Sequence, residues 1–251
     1  MQKIRISAVK YANTYPFIFG LINSRIEEKA IIETDHPADC ARKLINGTAD
    51  IGLIPVGALP MLKEYYLIGD YCIGAKNNVR TVMLLSNTKL EDIRSIYLDY
   101  RSRTSVNLVK VLAKNYWKRD FIWKNTSEEF DFVNLSAGEG VVLIGDQCFE
   151  FENNYSVHVD LAREWIDFTG LPFVFACWTS NKKLDDVFIE EFNAALSTGV
   201  RNIDAVVEKF GHTGTITGEE LRQYLTENID YSFDMDKKEG LELFLDLLGN
   251  L

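Results

Sequence analysis

Apolar and polar residues alternate in short blocks along the first part of the chain. Residues 4–9 alternate with the two-residue period of a strand, and apolar runs at 30–33 and 51–54 predict two more strands. The stretches 15–22 and 37–46 have helical spacing, and Pro37 suits a first helical turn. Strands that alternate with helices in this way are typical of a parallel sheet.

Two further segments, 80–86 and 172–179, are apolar enough to form strands buried on both faces. Between them the pattern predicts a second set of elements, at 95–98, 103–116, 141–144, 155–159 and 161–168. We therefore predict an α/β fold with two lobes joined by two crossing strands. The first lobe is discontinuous, residues 1–84 and 178–251, and the second is 85–177. The ligand cleft is expected between the lobes.

The turn at residues 100–105 carries a dense group of anion-binding side chains. It joins the predicted strand 95–98 to a helix, so unpaired N–H groups and the positive end of the helix dipole face the same edge of the sheet. The side chains are those of Arg101, Ser102, Arg103, Thr104 and Ser105. In the alternative interpretation, Ser102 only caps the helix and both arginines face water.

A second polar group leaves the first strand in the segment V-K-Y-A-N-T-Y-P-F, residues 9–17. Asn13 offers donors and an acceptor, and Thr14 follows it, at the carboxyl end of a parallel strand. Asn13 is alternatively a turn or cap residue. Gly145 and Asp146 end the strand 141–144, either as a ligand-facing turn or as a helix cap.

The formal charge of −10 and the pI near 4.9 argue against nucleic acid as a partner, which requires a basic face. An anionic ligand then needs a local cluster of basic residues, which the arginines of the turn, with Lys10 and Arg80, are expected to supply. No apolar run is long enough for a membrane span, and the N-terminus does not resemble a signal peptide, so we predict a cytoplasmic protein.

Familiar catalytic and cofactor motifs are missing from the sequence. The three histidines stand apart, the four cysteines form no C-x-x-C pair and suit reduced core thiols, and the glycine-rich phosphate-binding motifs do not occur. We therefore predict neither a metal nor a cofactor. The sequence leaves it open whether the protein forms a homodimer.

Five blocks, in order along the chain, resemble the chorismate dehydratases of the futalosine route to menaquinone. They are residues 9–17, 71–86, 98–105, 143–146 and 160–178. The chain departs from the usual pattern of that family at Lys10, Ala12, Tyr100 and Arg101. These departures concern substrate affinity more than the type of reaction.

The resemblance implies a type II periplasmic-binding-protein-like fold and a hydro-lyase that converts chorismate, a small anionic substrate, to 3-[(1-carboxyvinyl)oxy]benzoate. It implies that the substrate's own enolpyruvyl carboxylate takes the proton and that Asn13 orients the substrate. Asp146 is alternatively an acid or base that helps hydroxide to leave. The residues expected to bind substrate are Thr14, Arg80, Ser86, Ser102, Arg103, Thr104, Ser105, Gly145 and Asp146.

Two other functions fit the same two-lobed plan. One is an enzyme like the 1,4-dihydroxy-6-naphthoate synthase of the same pathway, and the other is a cytoplasmic protein that binds a small carboxylate without changing it. Incubation with chorismate separates a chorismate dehydratase from both, because only the dehydratase forms the aromatic product and a binding protein leaves chorismate intact.

Overall fold

The structure is a computed structural model, and it describes residues 3–212 and 215–251. Residues 1 and 2, which belong to the predicted first lobe, lie outside the described residues. The strands are β1 Ile4–Val9, β2 Ala30–Asp35, β3 Ile51–Pro55, β4 Tyr66–Ala75, β5 Val82–Ser86, β6 Ser95–Leu98, β7 Ile122–Asn125, β8 Glu139–Ile144, β9 Val157–Asp160, β10 Phe173–Ser180 and β11 Asp230–Ser232.

The helices connect these strands and cover the faces of the sheets. They are α1 Tyr15–Ile22, α2 Ile26–Lys29, α3 Pro37–Ile45, α4 Thr104–Leu112, α5 Gln147–Phe151, α6 Leu161–Thr169, α7 Asp186–Arg201, α8 Ile203–Phe210, α9 Gly218–Gln223 and α10 Met235–Gly249. Two π-helical segments, Ala113–Trp117 and Tyr224–Asn228, extend α4 and α9. No helix among the described residues is long and apolar enough to cross a membrane.

The described strands form two separate sheets, which confirms the predicted two-lobed α/β architecture. The first has the order β11-β4-β10-β3-β1-β2, with β1 parallel to both its neighbours and β10 antiparallel to β3 and β4. The second has the order β7-β6-β8-β5-β9, with β6 parallel to β7 and β8. The lobe at residues 4–75 is completed by β10, β11 and helices from the C-terminal part of the chain.

The two apolar segments predicted to cross between the lobes do not cross. All of β5 pairs within the second sheet, and all of β10 pairs within the first. The chain changes sheet in residues 76–81 and again in 161–172. The predicted boundaries at 84 and 178 therefore fall inside strands, because burial on both faces marks a central strand and carries no information about which sheet it joins.

The largest core packs both faces of the first sheet and continues to the second. Phe17 and Trp178 lie 5.7 Å apart between ring centres, and Trp165 of α6 contacts Phe173 of β10 at 5.3 Å. All four cysteines are buried free thiols, as the sequence predicts, and burial raises the pKa of the Cys40 thiol to about 12. The packing fixes the strand ends that carry the polar side chains of the site.

Candidate functional site

A cavity lies between the two sheets, where β1 and β3 of one lobe and β8 of the other reach their carboxyl ends. It contains about 510 Å³ of space not filled by protein atoms, part of it open to solvent. The cavity lies in the position expected for a small-molecule site in an open α/β sheet. Its polar side chains are those of Tyr11, Asn13, Thr81, Ser102, Thr104 and Ser105.

The turn before α4 brings three hydroxyls to the cavity wall. Ser102 accepts a hydrogen bond from the backbone N–H of Ser105 at 3.1 Å, so it caps the helix and lines the cavity at once. Ser102 thus makes the bond expected of a capping residue, and its contact with a substrate stays a prediction. The Ser105 hydroxyl makes no hydrogen bond within the described part of the chain, although the residue is only 3% exposed. It is available to a ligand.

Thr104 connects the two lobes across the cavity. Its hydroxyl donates to the carbonyl of Phe175 at 3.0 Å and accepts from the backbone N–H of Gly57 at 3.1 Å. Both partners belong to the first lobe, whereas Thr104 begins a helix of the second. The hydroxyl is therefore already satisfied in this arrangement of the lobes, and it holds α4 against the first sheet.

The two arginines of this turn do not reach the cavity. Arg101 forms a bidentate ion pair with Asp99, at 2.8 and 2.7 Å, and Asp99 is 0% exposed. Burial opposes the charge of Arg101, but the Asp99 hydrogen bonds raise its pKa. Arg103 is exposed and lines a separate surface groove beside α3. Arg101 is thus held in a buried ion pair, and Arg103 is exposed to solvent.

The prediction that a local cluster of basic residues lines the ligand cleft is therefore wrong. Among the described residues, no Lys, Arg, His, Asp or Glu lines the cavity. An anion placed there meets hydroxyls beside the N-terminal end of α4, where the positive end of the helix dipole attracts negative charge without a cation. Lys10 is exposed and does not line the cavity.

Asn13 lies on the first-lobe side of the cavity, in the 3-10 turn Ala12–Thr14. Its side-chain oxygen accepts a hydrogen bond from the hydroxyl of Thr14 at 3.1 Å, and its backbone carbonyl accepts one from Tyr231 at 3.0 Å. Thr14 is itself 0% exposed and does not line the cavity. The structure therefore places Asn13 at the cavity, with Thr14 behind it as its partner.

Gly145 lies where β8 ends, directly against the ring of Tyr11 from the other lobe. Its φ of +63° lies in the region that favours glycine, and a Cβ atom there would lie 2.8 Å from the Tyr11 ring. The Tyr11 hydroxyl is buried with no hydrogen-bond partner among the described residues, and burial raises its pKa. Tyr11 is thus a neutral phenol on the cavity wall that sequence analysis left without a role.

Asp146 follows Gly145 but faces away from the cavity. Its carboxylate accepts the backbone N–H of Ala12 in the other lobe, at 3.1 and 3.3 Å, and makes no capping bond to α5. Burial raises the pKa of Asp146, and the bond from Ala12 lowers it in part. Neither sequence alternative, ligand turn or helix cap, describes this contact, which joins the lobes.

Arg80 and Ser86 also lie outside the cavity. The Arg80 guanidinium pairs with Glu152 at 3.2 Å and lies over the ring of Phe149. Ser86 donates to the carbonyl of Glu139 at 2.7 Å, at the end of β5 about 13 Å from the cavity end. The structure does not bring these two side chains to Asn13, and substrate contact by them, as by Arg103, stays a prediction.

Comparison with known proteins decides the family. The family model described as menaquinone biosynthesis matches residues 4–250. The chain belongs to this family. A curated relative, chorismate dehydratase of Thermus thermophilus, is 26% identical over 99% of this chain and 96% of its own. The resemblance to chorismate dehydratases predicted from the five blocks is confirmed.

Solved structures of this fold support the same architecture for the menaquinone biosynthesis family member. A protein of Archaeoglobus fulgidus superposes with a TM-score of 0.77 at 14% identity, covering 99% of this chain and 97% of its own. A conserved Candida albicans gene product, described as having the generic periplasmic-binding-protein fold, gives 0.68 at 13%, covering 100% and 91%. The predicted periplasmic-binding-protein-like fold is confirmed. No cluster of three metal-ligating side chains occurs among the described residues.

Proposed function

We propose that this protein removes water from chorismate to give 3-[(1-carboxyvinyl)oxy]benzoate, as a hydro-lyase of menaquinone biosynthesis. The observation that carries the proposal is the cavity between the lobes, which Asn13 of the first lobe lines together with Ser102 and Ser105 of the second. Membership of the menaquinone biosynthesis family and the near full-length match to a chorismate dehydratase support it.

The chemistry requires little from the protein. A proton leaves C3 of the ring, hydroxide leaves C4, and together they form water, while the ring becomes aromatic. Among the described residues, Tyr11 is the only titratable side chain on the cavity wall, and burial keeps it protonated by raising its pKa. This supports proton transfer to the substrate's own enolpyruvyl carboxylate, with Asn13 orienting the substrate in its reactive conformation.

The carboxylates of chorismate are held without a lining cation. The hydroxyls of Ser102 and Ser105, beside the positive end of the α4 dipole, form the expected contact, in which fixed dipoles replace the water that surrounds a free carboxylate. Such preorganised donors stabilise charge best where the substrate itself displaces water from the cavity.

The direct test is to incubate the purified protein with chorismate and follow the aromatic product by absorbance and mass spectrometry. We expect product with wild-type protein and at least about tenfold lower turnover for Asn13→Ala, about 1.4 kcal/mol of barrier. Asn153→Ala is the matched control, because Asn153 is exposed and makes no side-chain hydrogen bond with the described residues. Thermal unfolding checks that all three proteins fold alike.

The other outcomes are equally informative. Binding of chorismate that leaves it unchanged would replace the proposal with a carboxylate-binding protein. Turnover of cyclic dehypoxanthine futalosine instead would indicate the naphthoate synthase activity. Wild-type rates in Asn13→Ala would remove Asn13 from the mechanism.

A further inference from the structure

The hydroxyl of Tyr11 is a buried polar group that makes no hydrogen bond with the described part of the chain. An unpaired buried hydroxyl is unfavourable, and native proteins leave few polar atoms in this state. The unfilled space that Tyr11 borders is the cavity between the lobes. A molecule bound in that cavity is therefore the candidate acceptor for the Tyr11 O–H group.

The ring of Tyr11 is held in place at the junction of the two lobes without help from its hydroxyl. The backbone of Gly145 packs so close that a Cβ atom there would lie 2.8 Å from the ring. His36, which follows β2, makes a T-shaped contact with ring centres 6.2 Å apart. The next residue, Ala12, donates its N–H to the Asp146 carboxylate at 3.1 Å. A phenylalanine ring can keep these contacts, so the hydroxyl itself is left for another use.

Tyr11 can serve a ligand only as a neutral group. Burial raises the pKa of Tyr11, and the nearby charge of Arg101 lowers it by less, so the phenol stays protonated near neutral pH. A protonated phenol has one O–H to donate. Hydrogen bonds are stronger when the acceptor is ionised, so a carboxylate oxygen is the best partner for this group.

The other hydroxyls of the cavity leave room for such a donor. Those of Thr81 and Thr104 are already engaged in hydrogen bonds with other parts of the chain. Ser102 and Ser105 belong to the turn before α4 in the second lobe, whereas Tyr11 follows β1 in the first. Because chorismate carries two carboxylates, a second donor in the opposite lobe suits the second of them.

We propose that Tyr11 is a substrate-binding residue whose hydroxyl donates a hydrogen bond to a carboxylate oxygen of bound chorismate. The identity of the ligand rests on the proposed function, whereas the unpaired hydroxyl does not. In the competing explanation, a buried water satisfies the hydroxyl and Tyr11 serves the fold alone. The two explanations differ in whether the free protein or its complex loses a hydrogen bond when the hydroxyl is removed.

The test compares Tyr11→Phe with wild-type protein in binding, turnover and stability. Calorimetry uses chorismate and its aromatic product, which keeps both carboxylates and is not consumed. We expect the variant to bind the product at least about tenfold more weakly, because it lacks a bond to a charged group. KM for chorismate should rise by a similar factor, with kcat within about threefold of wild type. The thermal midpoint of the ligand-free variant should not fall, since no hydrogen bond is lost there.

Tyr155→Phe is the matched control. Tyr155 is also a buried tyrosine, but its hydroxyl donates to the backbone carbonyl of Phe132 and it belongs to a separate core cluster of the second lobe. Its variant should show the opposite pattern, with a lower thermal midpoint and wild-type affinity for the product. The same pattern in Tyr11→Phe, lower stability with unchanged affinity, would overturn the binding role and favour the buried water.

The remaining outcomes separate this role from the proposed function. Unchanged affinity and KM in Tyr11→Phe, while the wild-type protein forms the aromatic product, would overturn the binding role and leave the function in place. Weaker binding of chorismate by Tyr11→Phe, in a protein that leaves chorismate intact, would support the binding role while the proposed function fails. A wild-type protein that binds neither compound would overturn both.

Discussion

Single residues at the interface between the lobes determine how closely the lobes approach. Gly145 and Gly170 both have positive φ, +63° and +75°, but only Gly145 has a neighbour in the direction of a Cβ atom, the Tyr11 ring. We expect Gly170→Ala to cost about 1–2 kcal/mol for the left-handed backbone alone. Gly145→Ala should cost about 2–4 kcal/mol, because overpacking against Tyr11 adds to that strain. Urea unfolding measures both, and equal costs would mean that Tyr11 moves aside freely.

The polar side chains of the site could be predicted residue by residue where the strand ends determine their position. Asn13, Ser102 and Ser105 follow β1 and β6 directly, so the topology brings them to one cavity. The direction of Arg101 could not be predicted in this way, because it depends on the burial of Asp99. A buried carboxylate needs a charged partner, and the nearest guanidinium satisfies it.

At the scale of elements, the sequence pattern identifies central strands and misses edge strands. β4 and β11 escape prediction because β4 mixes glycine and polar residues with apolar ones, and its first half is largely exposed. It becomes a strand by pairing with β10 and β11, residues distant in sequence. The edge strand β7 is also absent from the predicted elements, and it too depends on a neighbour, β6.

Asp50, which directly precedes β3, bonds to residues on or next to β1 and β10 of the first sheet. It accepts from the backbone and side chain of Arg5 on β1 and from Lys182 beyond β10. Burial alone would raise its pKa, but these bonds lower it from 3.8 to about 2. Because the folded-state pKa lies below the unfolded one, this stabilisation is present above pH 3.8 and is lost as the pH falls through 2.

The expected contribution of Asp50 is about 2 kcal/mol at pH 7 and about half of that at pH 3. Asp50→Asn should therefore cost less stability at pH 3 than at pH 7, as measured by urea unfolding at both values. Asp120→Asn is the control, since Asp120 is exposed and forms no ion pair with the described residues. A cost for Asp50→Asn that does not change with pH would contradict the ion-pair account.

At the scale of the whole molecule, the C-terminal part of the chain does more than complete the first lobe. It supplies β11 to the first sheet, Tyr231 as a donor to the backbone carbonyl of Asn13, and Tyr224 as a hydrogen-bond partner of Thr81. The sequence pattern of this region does not indicate such contacts. Side chains that meet across some two hundred positions of sequence leave no local periodic signal.

The contact between Asp146 and Ala12 links the lobes, so its variants report on closure. Asp146→Asn keeps an oxygen that accepts the Ala12 N–H, whereas Asp146→Ala leaves that N–H without its acceptor, at a cost of about 1–3 kcal/mol. We expect the Asn variant to keep most of the wild-type turnover. The Ala variant should show a higher KM for chorismate and a larger radius of gyration in X-ray scattering, because the closed arrangement is weakened. If Asp146 instead transferred a proton to the departing hydroxide, Asp146→Asn would lose turnover about a hundredfold with KM unchanged, because an amide cannot replace the acid.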